Sequence, residues 1–240
     1  KIKIGIIGLG SISKIMHLPI LSKFPDVEIV GICDKDKSKT RILAEKFKIH
    51  NYYTDYNELL KNEDIKGVII ATPTDTHPEI SIAALENNKD VFVEKPIARN
   101  FIEAKQINDK AKETKKKLMV GMNNRFRPDA MLLKTFIQKG EIGKIFYIKT
   151  GWLKKQSTLE KWFTQKEKSG GGVFLDHGIV LLDLSLWMLG FPDVKSVQSS
   201  FYYHETKKVE DFSFSMIKLS NNTTLTIEVS WTMLMENDFL

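Results

Sequence analysis

Cysteine is almost missing from this chain: Cys33 is the single one in 240 residues. One thiol forms no internal disulfide, and no cysteine cluster can hold zinc or an iron–sulfur centre. That suits a reducing compartment, and a cytoplasmic protein is expected. Arginine is scarce too. Arg41, Arg99, Arg125 and Arg127 are the full set, and lysine supplies the other 32 of 36 basic residues. Against 30 acidic residues the formal charge is +6, but the lysines are scattered. Their densest run, Lys115-Lys116-Lys117, ends a predicted helix, where cations meet the negative end of the dipole. No basic stripe interleaved with aromatics occurs, so no nucleic-acid partner is expected. Long apolar runs are missing as well. The most apolar segment, residues 172–191, is broken by Asp176, His177 and Asp183, and no membrane span is expected there. The apolar stretch at residues 2–7 runs straight into a glycine turn and does not read as a secretory signal.

What is present is ordinary globular composition, 42% apolar and 28% charged. The length fits one large domain or two smaller ones, each with its own core. The first half alternates. Short apolar strands are predicted at 2–7, 27–33, 67–71, 91–94 and 118–120. Helices are predicted at 11–24, 38–47 with Ser38 as N-cap, 78–87 and 101–114. Strands separated by helices of this length indicate βαβ units and a doubly wound parallel sheet over 1–121. The pattern then changes. Helices at 129–139 and 176–189 accompany strands at 145–154, 194–203, 212–219 and 223–231, the last three joined by short turns. This predicts an α+β domain with a mostly antiparallel open sheet over 122–240. Leu240 follows the last predicted strand with no closing element, so further C-terminal chain is expected.

Gly8-x-Gly10-x-x-Ser13 closes the first strand and opens a helix. Gly8 permits a tight turn, and Gly10 lets backbone approach a pyrophosphate at the helix N-terminus. Ser13 is small but not Gly or Ala, so slightly looser helix–strand packing is expected. Asp34 closes the second strand, where an acid accepts hydrogen bonds from a ribose and repels a 2′-phosphate. NAD is therefore expected in preference to NADP, with Lys35, Lys37 and Lys39 weakening the preference. The competing reading is a glycine turn without a nucleotide and Asp34 as a turn residue. Glu94-Lys95-Pro96 closes another strand at the edge where such sheets bind ligands. Lys95 is either a general acid/base or a surface lysine before a turn proline. In so lysine-rich a chain, Arg125 suggests a need for its planar fork, for substrate or for an interdomain ion pair. No metal site is expected.

Together with Ala71-Thr72-Pro73 and His77, and with Gly170-Gly171-Gly172-x-x-x-Asp176, these motifs resemble the glucose–fructose oxidoreductase / inositol dehydrogenase / MocA family over essentially the whole chain. The resemblance implies a Rossmann domain followed by a domain whose sheet builds the substrate cleft and often the oligomer interface, so a homodimer or homotetramer is expected. It implies a cofactor site of Gly8, Gly10, Ser11, Ile12, Asp34, Thr72, Pro73, Thr74, His77, Glu94 and Lys95. Lys95 matches the family's catalytic lysine and Asp176 its substrate-orienting acid. Asn123, Arg125, Trp162 and His177 complete the expected substrate contacts, Trp162 by stacking on a sugar ring or else by simple packing. The family pattern then expects a histidine four residues after Asp176, and this chain has Val180 there. Either His177 supplies the imidazole, or Lys95 alone handles the proton, or turnover is lost. The implied activity is NAD-dependent oxidation or reduction at a secondary alcohol of a sugar, amino sugar or cyclitol. The alternative is a cofactor-binding regulator of the same fold. His17 and the methionines read as packing, and His50 and His204 as surface residues.

Overall fold

The computed structural model describes residues 1–155 and 161–239 and divides into two compact units, Lys1–Gly121 and Met122–Leu240. In the first unit, six parallel strands lie in the order β3-β2-β1-β4-β5-β6. They are β1 (Ile2–Ile7), β2 (Val27–Cys33), β3 (Asn51–Tyr53), β4 (Gly67–Ile70), β5 (Asp90–Val93) and β6 (Leu118–Val120). Successive side chains on a strand point to opposite faces, so an unbroken apolar strand serves two cores. Ile6, Ile32 and Ile69 fall in one core, under a helical run over residues 11–21 that ends in α1 (Leu18–Leu21), and under α2 (Lys37–Phe47). Ile7, Cys33 and Ile70 fall in the other, under α3 (Tyr56–Leu60), α4 (His77–Glu86) and α5 (Phe101–Thr114). Burial, with Asp34 beside it, pushes the Cys33 thiol up to about 12, so it packs as a small apolar group. The strand order reverses direction between β1 and β4, and ligands of such sheets bind at the carboxyl ends beside that point.

The second unit holds α6 (Pro128–Gln138), β7 (Tyr147–Lys155), α7 (Lys166–Ser169) and α8 (Ile179–Met188). It continues with β8 (Val194–Tyr202), β9 (Phe212–Leu219), β10 (Thr224–Ser230) and β11 (Thr232–Phe239). The five strands order as β11-β7-β10-β9-β8. Three of the four pairings are antiparallel, and β7 with β10 is parallel. Val173 and Leu181 pack with Ile217, Leu225, Ile227 and Val229, so the helix covers one sheet face. By length and composition alone the run 166–188 is long and apolar enough to cross a membrane. Here that apolarity is used against the sheet.

The mostly antiparallel second sheet agrees with the short turns between its last three expected strands, and β7 lies between β11 and β10. Four labelled elements escape the pattern: the three-residue edge strand β3, the single-turn helices α3 and α7, and β11. The cap of α2 is also different. Asp36, with extended backbone, accepts from the N–H of Lys39 at 3.0 Å, and Ser38 lies inside the helix.

Asp211 closes the turn between β8 and β9. Its fully buried carboxylate accepts from the N–H groups of His204 (2.9 Å), Glu205 (2.5 Å) and Thr206 (2.8 Å). Burial alone would raise its pKa, but these N–H donors and the Thr206 hydroxyl outweigh it and hold the carboxyl below the usual range. A depressed folded-state pKa gives stability that is complete above the unfolded value, about 3.9, and is lost as pH falls through the folded value. Asp211→Asn is expected to cost about 1–3 kcal/mol at neutral pH. Its melting temperature should also fall less steeply than the native protein's below pH 4, as read by circular dichroism.

Candidate functional site

The first candidate site is built on the turn after β1. The Gly8 N–H donates to Cys33 O at 2.8 Å, which seats the turn beside β2. Gly8 has φ +92, and a Cβ there would lie 2.5 Å from Ala71 O, so only glycine fits between the exits of β1 and β4. Gly10 is the opposite case. A Cβ built on it meets nothing within 4 Å, so the backbone borders open space at the helix N-terminus. Ser11 and Ile12, the first helical residues, are exposed. Ser13 does not loosen the packing as its size suggests: it is fully buried, and its Oγ donates to Gly8 O at 2.6 Å.

Asp34 is bound to this turn. Its Oδ2 accepts from Leu9 N at 2.8 Å and its Oδ1 from Asp36 N at 3.0 Å. Lys39 Nζ lies 2.8 Å from Oδ2. Burial raises the Asp34 pKa, but Lys39 and the two N–H groups more than offset it, and the carboxyl is held below its ordinary value. Asp34 is therefore an anion at neutral pH, tied to the turn after β1 and to the start of α2.

The exits of β4 and β5 complete the same sheet edge. Thr72 and Lys95 are half-buried and Pro73 is exposed. Thr74 and His77, expected along the cofactor, have side chains only 1% exposed and lie beneath the loop. His77 sets Nδ1 2.9 Å from Pro96 O and Nε2 2.9 Å from Thr72 O, tying the two loops together. Burial lowers its pKa, against the two carbonyls that favour the charged ring. The Lys95–Pro96 peptide is cis. Glu94 is gripped on both oxygens: His17 Nε2 is 2.8 Å from Oε1, and Lys95 N donates to Oε2 at 3.3 Å. His17 is thus a site neighbour rather than packing alone, with its ring edge on Phe92 at 5.8 Å. The backbone over Ser13–His17 forms a π turn, which brings the His17 ring to Glu94, 77 positions away.

The second unit carries the other expected residues. Asp176 and His177 also lie in a π turn, Phe174–Gly178. Trp231 Nε1 donates to Asp176 Oδ2 at 3.2 Å, and His177 Nε2 lies 3.2 Å from the same oxygen. The His177 ring stacks on Trp152 at 4.7 Å and meets Trp231 edge-on at 6.4 Å. It is 7% exposed, buried beside Asp176. Val180, at the position of the absent histidine, is 5% exposed. Glu210 caps this helical run, accepting from Gly172 N at 3.0 Å and Phe174 N at 3.1 Å. A Cβ on Gly172 would come within 1.9 Å of Glu210 O, which explains that glycine.

Arg125 is committed within its own unit. Its Nε donates to Asp183 Oδ2 at 2.7 Å and its Nη2 to Oδ1, while the guanidinium lies 5.2 Å from the Phe191 ring centroid. This is a bidentate pair of two side chains of the second unit. Asn123 is exposed at the start of a short turn, Asn123–Phe126. Trp162 stacks on Phe163 at 3.8 Å. Among the described residues, no group of three or more His, Cys, Asp or Glu side chains could hold a metal ion.

The two glycines of the turn give opposite expectations. Gly8→Ala should lower the melting temperature, because its Cβ strikes Ala71. Gly10→Ala should leave it unchanged or raised, since a tolerated Gly→Ala change stabilises by about 0.4–1 kcal/mol. It should nonetheless weaken NADH binding at least about tenfold, about 1.4 kcal/mol, by filling the open space. Thermal melts and fluorescence titration on both variants check this; native-like binding by Gly10→Ala would contradict it.

Known proteins align with this geometry. The chain is 31% identical to the D-glucoside 3-dehydrogenase of Escherichia coli (strain K12), over 96% of this chain and 70% of that one. It is 33% identical to the scyllo-inositol 2-dehydrogenase (NAD(+)) of Bacillus subtilis (strain 168), over 79% of this chain and 54% of that one. The chain thus spans between about half and seven-tenths of these two relatives' length. A levoglucosan dehydrogenase solved in complex with NADH and levoglucosan superposes with a TM-score of 0.89 at 26% identity, covering 99% of this chain and 69% of that one. GenD2 from gentamicin A biosynthesis, solved with NAD, shares the fold with a TM-score of 0.92 at 24% identity, over 99% of this chain and 68% of that one. Residues 2–122 match the oxidoreductase family with an NAD-binding Rossmann fold, and residues 131–239 match the GFO/IDH/MocA C-terminal domain. With both halves matched, the chain belongs to the Gfo/Idh/MocA family of oxidoreductases, and its first unit is the family's NAD-binding Rossmann domain.

Proposed function

We propose that this protein is an NAD-dependent oxidoreductase that moves a hydride to or from a secondary alcohol of a sugar, amino sugar or cyclitol. The observation that carries the reading is one sheet edge. An ionised Asp34 is tied to the glycine turn at the exits of β1 and β2, and Lys95 stands at the exit of β5. Relatives named for dehydrogenation of a glucoside and of an inositol point to a ring hydroxyl as the substrate group.

NAD, when bound, accepts the hydride that leaves the carbinol carbon. The Gly8–Ile12 backbone would hold its pyrophosphate, Asp34 its adenosine ribose, and the Thr72-Pro73 loop would lie alongside. Lys95 takes the hydroxyl proton at Nζ as hydride departs, and returns it in the reverse direction. The His17–Glu94 hydrogen bond holds the backbone on which Lys95 is mounted. Asp176 orients the substrate hydroxyl, with its Oδ2 fixed by Trp231 and His177. His177 therefore acts through Asp176 and does not replace the histidine missing at 180. The fully exposed edge strand β8 supports self-association into a homodimer or homotetramer.

The test is NADH formation, followed by absorbance, with NAD and a panel of polyols, sugars and cyclitols. Turnover by the native protein is expected. Lys95→Ala should lower kcat about 10²–10⁴-fold, the usual contribution of a general acid/base, with NAD affinity changed less than about threefold. Native-like turnover by Lys95→Ala would contradict the role. Firm NAD binding by the native protein with no turnover across the panel would favour the sensor reading, for which Val180 speaks.

A further inference from the structure

The ribose-binding acid of this site is not a lone carboxylate. An ionised carboxyl group offers about four acceptor positions. Leu9 N–H and Lys39 Nζ occupy Oδ2 of Asp34, and Asp36 N–H occupies one position on Oδ1. One position is left, enough for a single ribose hydroxyl rather than a pair. The charge is spoken for as well. A lone Asp excludes a 2′-phosphate by like-charge repulsion, but Lys39 sits 2.8 Å from Asp34, with side chains only 26% and 15% exposed. At that distance and degree of shielding the pair is nearly neutral to an incoming anion.

The surroundings lean the same way. Asp36, the other acid nearby, spends Oδ1 on capping α2. Lys35 and Lys37 are exposed. Residues 34–39 therefore carry three lysines against two acids, both of them already engaged. Lys39 stands on the first turn of an eleven-residue helix, whose positive end favours anions.

We propose that Lys39 sets the dinucleotide preference: by neutralising Asp34 and offering an ammonium at the same place, it lets the ribose site take the 2′-phosphate of NADP as well as the 2′-hydroxyl of NAD. The phosphate carries a charge of about −1.5 to −2 at neutral pH. The Lys39 ammonium, with three donors, bridges it to Asp34, which keeps its bonds to Leu9 and Asp36. The inference rests on the dinucleotide site proposed above.

Equilibrium titration of the full chain with NADH and with NADPH tests it. The native protein is expected to bind the two within about tenfold of each other, a difference of at most about 1.4 kcal/mol. Lys39→Met keeps a good helix former at an already helical position, so the fold should stand. It should weaken NADPH about tenfold or more while NADH stays within about threefold. Added salt should weaken NADPH more steeply than NADH in the native protein and equally in the variant. Two results overturn the inference while leaving the NAD site intact: native NADPH binding more than about a hundredfold weaker than NADH, or a ratio unchanged by Lys39→Met. If the native protein binds neither dinucleotide, the site reading fails, and this inference with it.

Discussion

The exits of β1 and β4 approach so closely that only a glycine fits between them. Gly8, in left-handed backbone, would place any Cβ against the Ala71 carbonyl. The rest of the first unit's site hangs on that approach. Because the chain turns sharply at Gly8, the Leu9 N–H reaches Asp34, and Ser13 can bury its hydroxyl on the Gly8 carbonyl. The helix then starts beside a Gly10 that faces open space. A tight position and an open one, two residues apart, are what a backbone cradle for a pyrophosphate requires. The lower side of the same edge is held by His77, whose ring sits between carbonyls of the loops after β4 and β5 and donates its N–H to one of them.

Each candidate site includes a π turn. Ser13–His17 delivers His17 to Glu94, next to Lys95. Phe174–Gly178 carries Asp176 and His177. A π turn re-aims side chains relative to a regular helix and tends to occur at functional positions. In each case the widened turn is held by partners far off in sequence: Glu94 for the first, and Trp152, Trp231 and Glu210 for the second. A carboxylate fixed by an indole N–H and a stacked imidazole is a rigid acceptor, suited to orienting a hydroxyl rather than exchanging protons freely.

The parallel sheet, the glycine turn, Asp34 and the Lys95 strand end are legible in the sequence because they depend on neighbours. Alternation of Ile6 with Ile7, or Ile69 with Ile70, shows two buried faces without any structure. What is not legible depends on distant contacts. Nothing near His17 indicates Glu94, and nothing near Gly172 indicates that Glu210 will press on it. Nothing near Arg125 indicates that Asp183, 58 residues away, will take two of its three nitrogens. The three-residue β3 and single-turn α3 are too short to show a period. The parallel pairing of β7 with β10 is a choice of neighbour, which alternation within one strand does not encode. The Asp36 cap is a smaller case. Ser38, two residues on, also suits a helix start, and the extended backbone at Asp36 makes Asp36 the cap.

Isotope transfer tests the proposed movement of a hydride between a ring alcohol and NAD at this sheet edge. The native protein would be incubated with NAD and sugars or cyclitols deuterated at their ring carbinol carbons. The recovered nicotinamide would then be examined by NMR. Deuterium at C4 on one face of the ring is the expected result. NAD bound at the site with no deuterium at C4 from any labelled alcohol would contradict it.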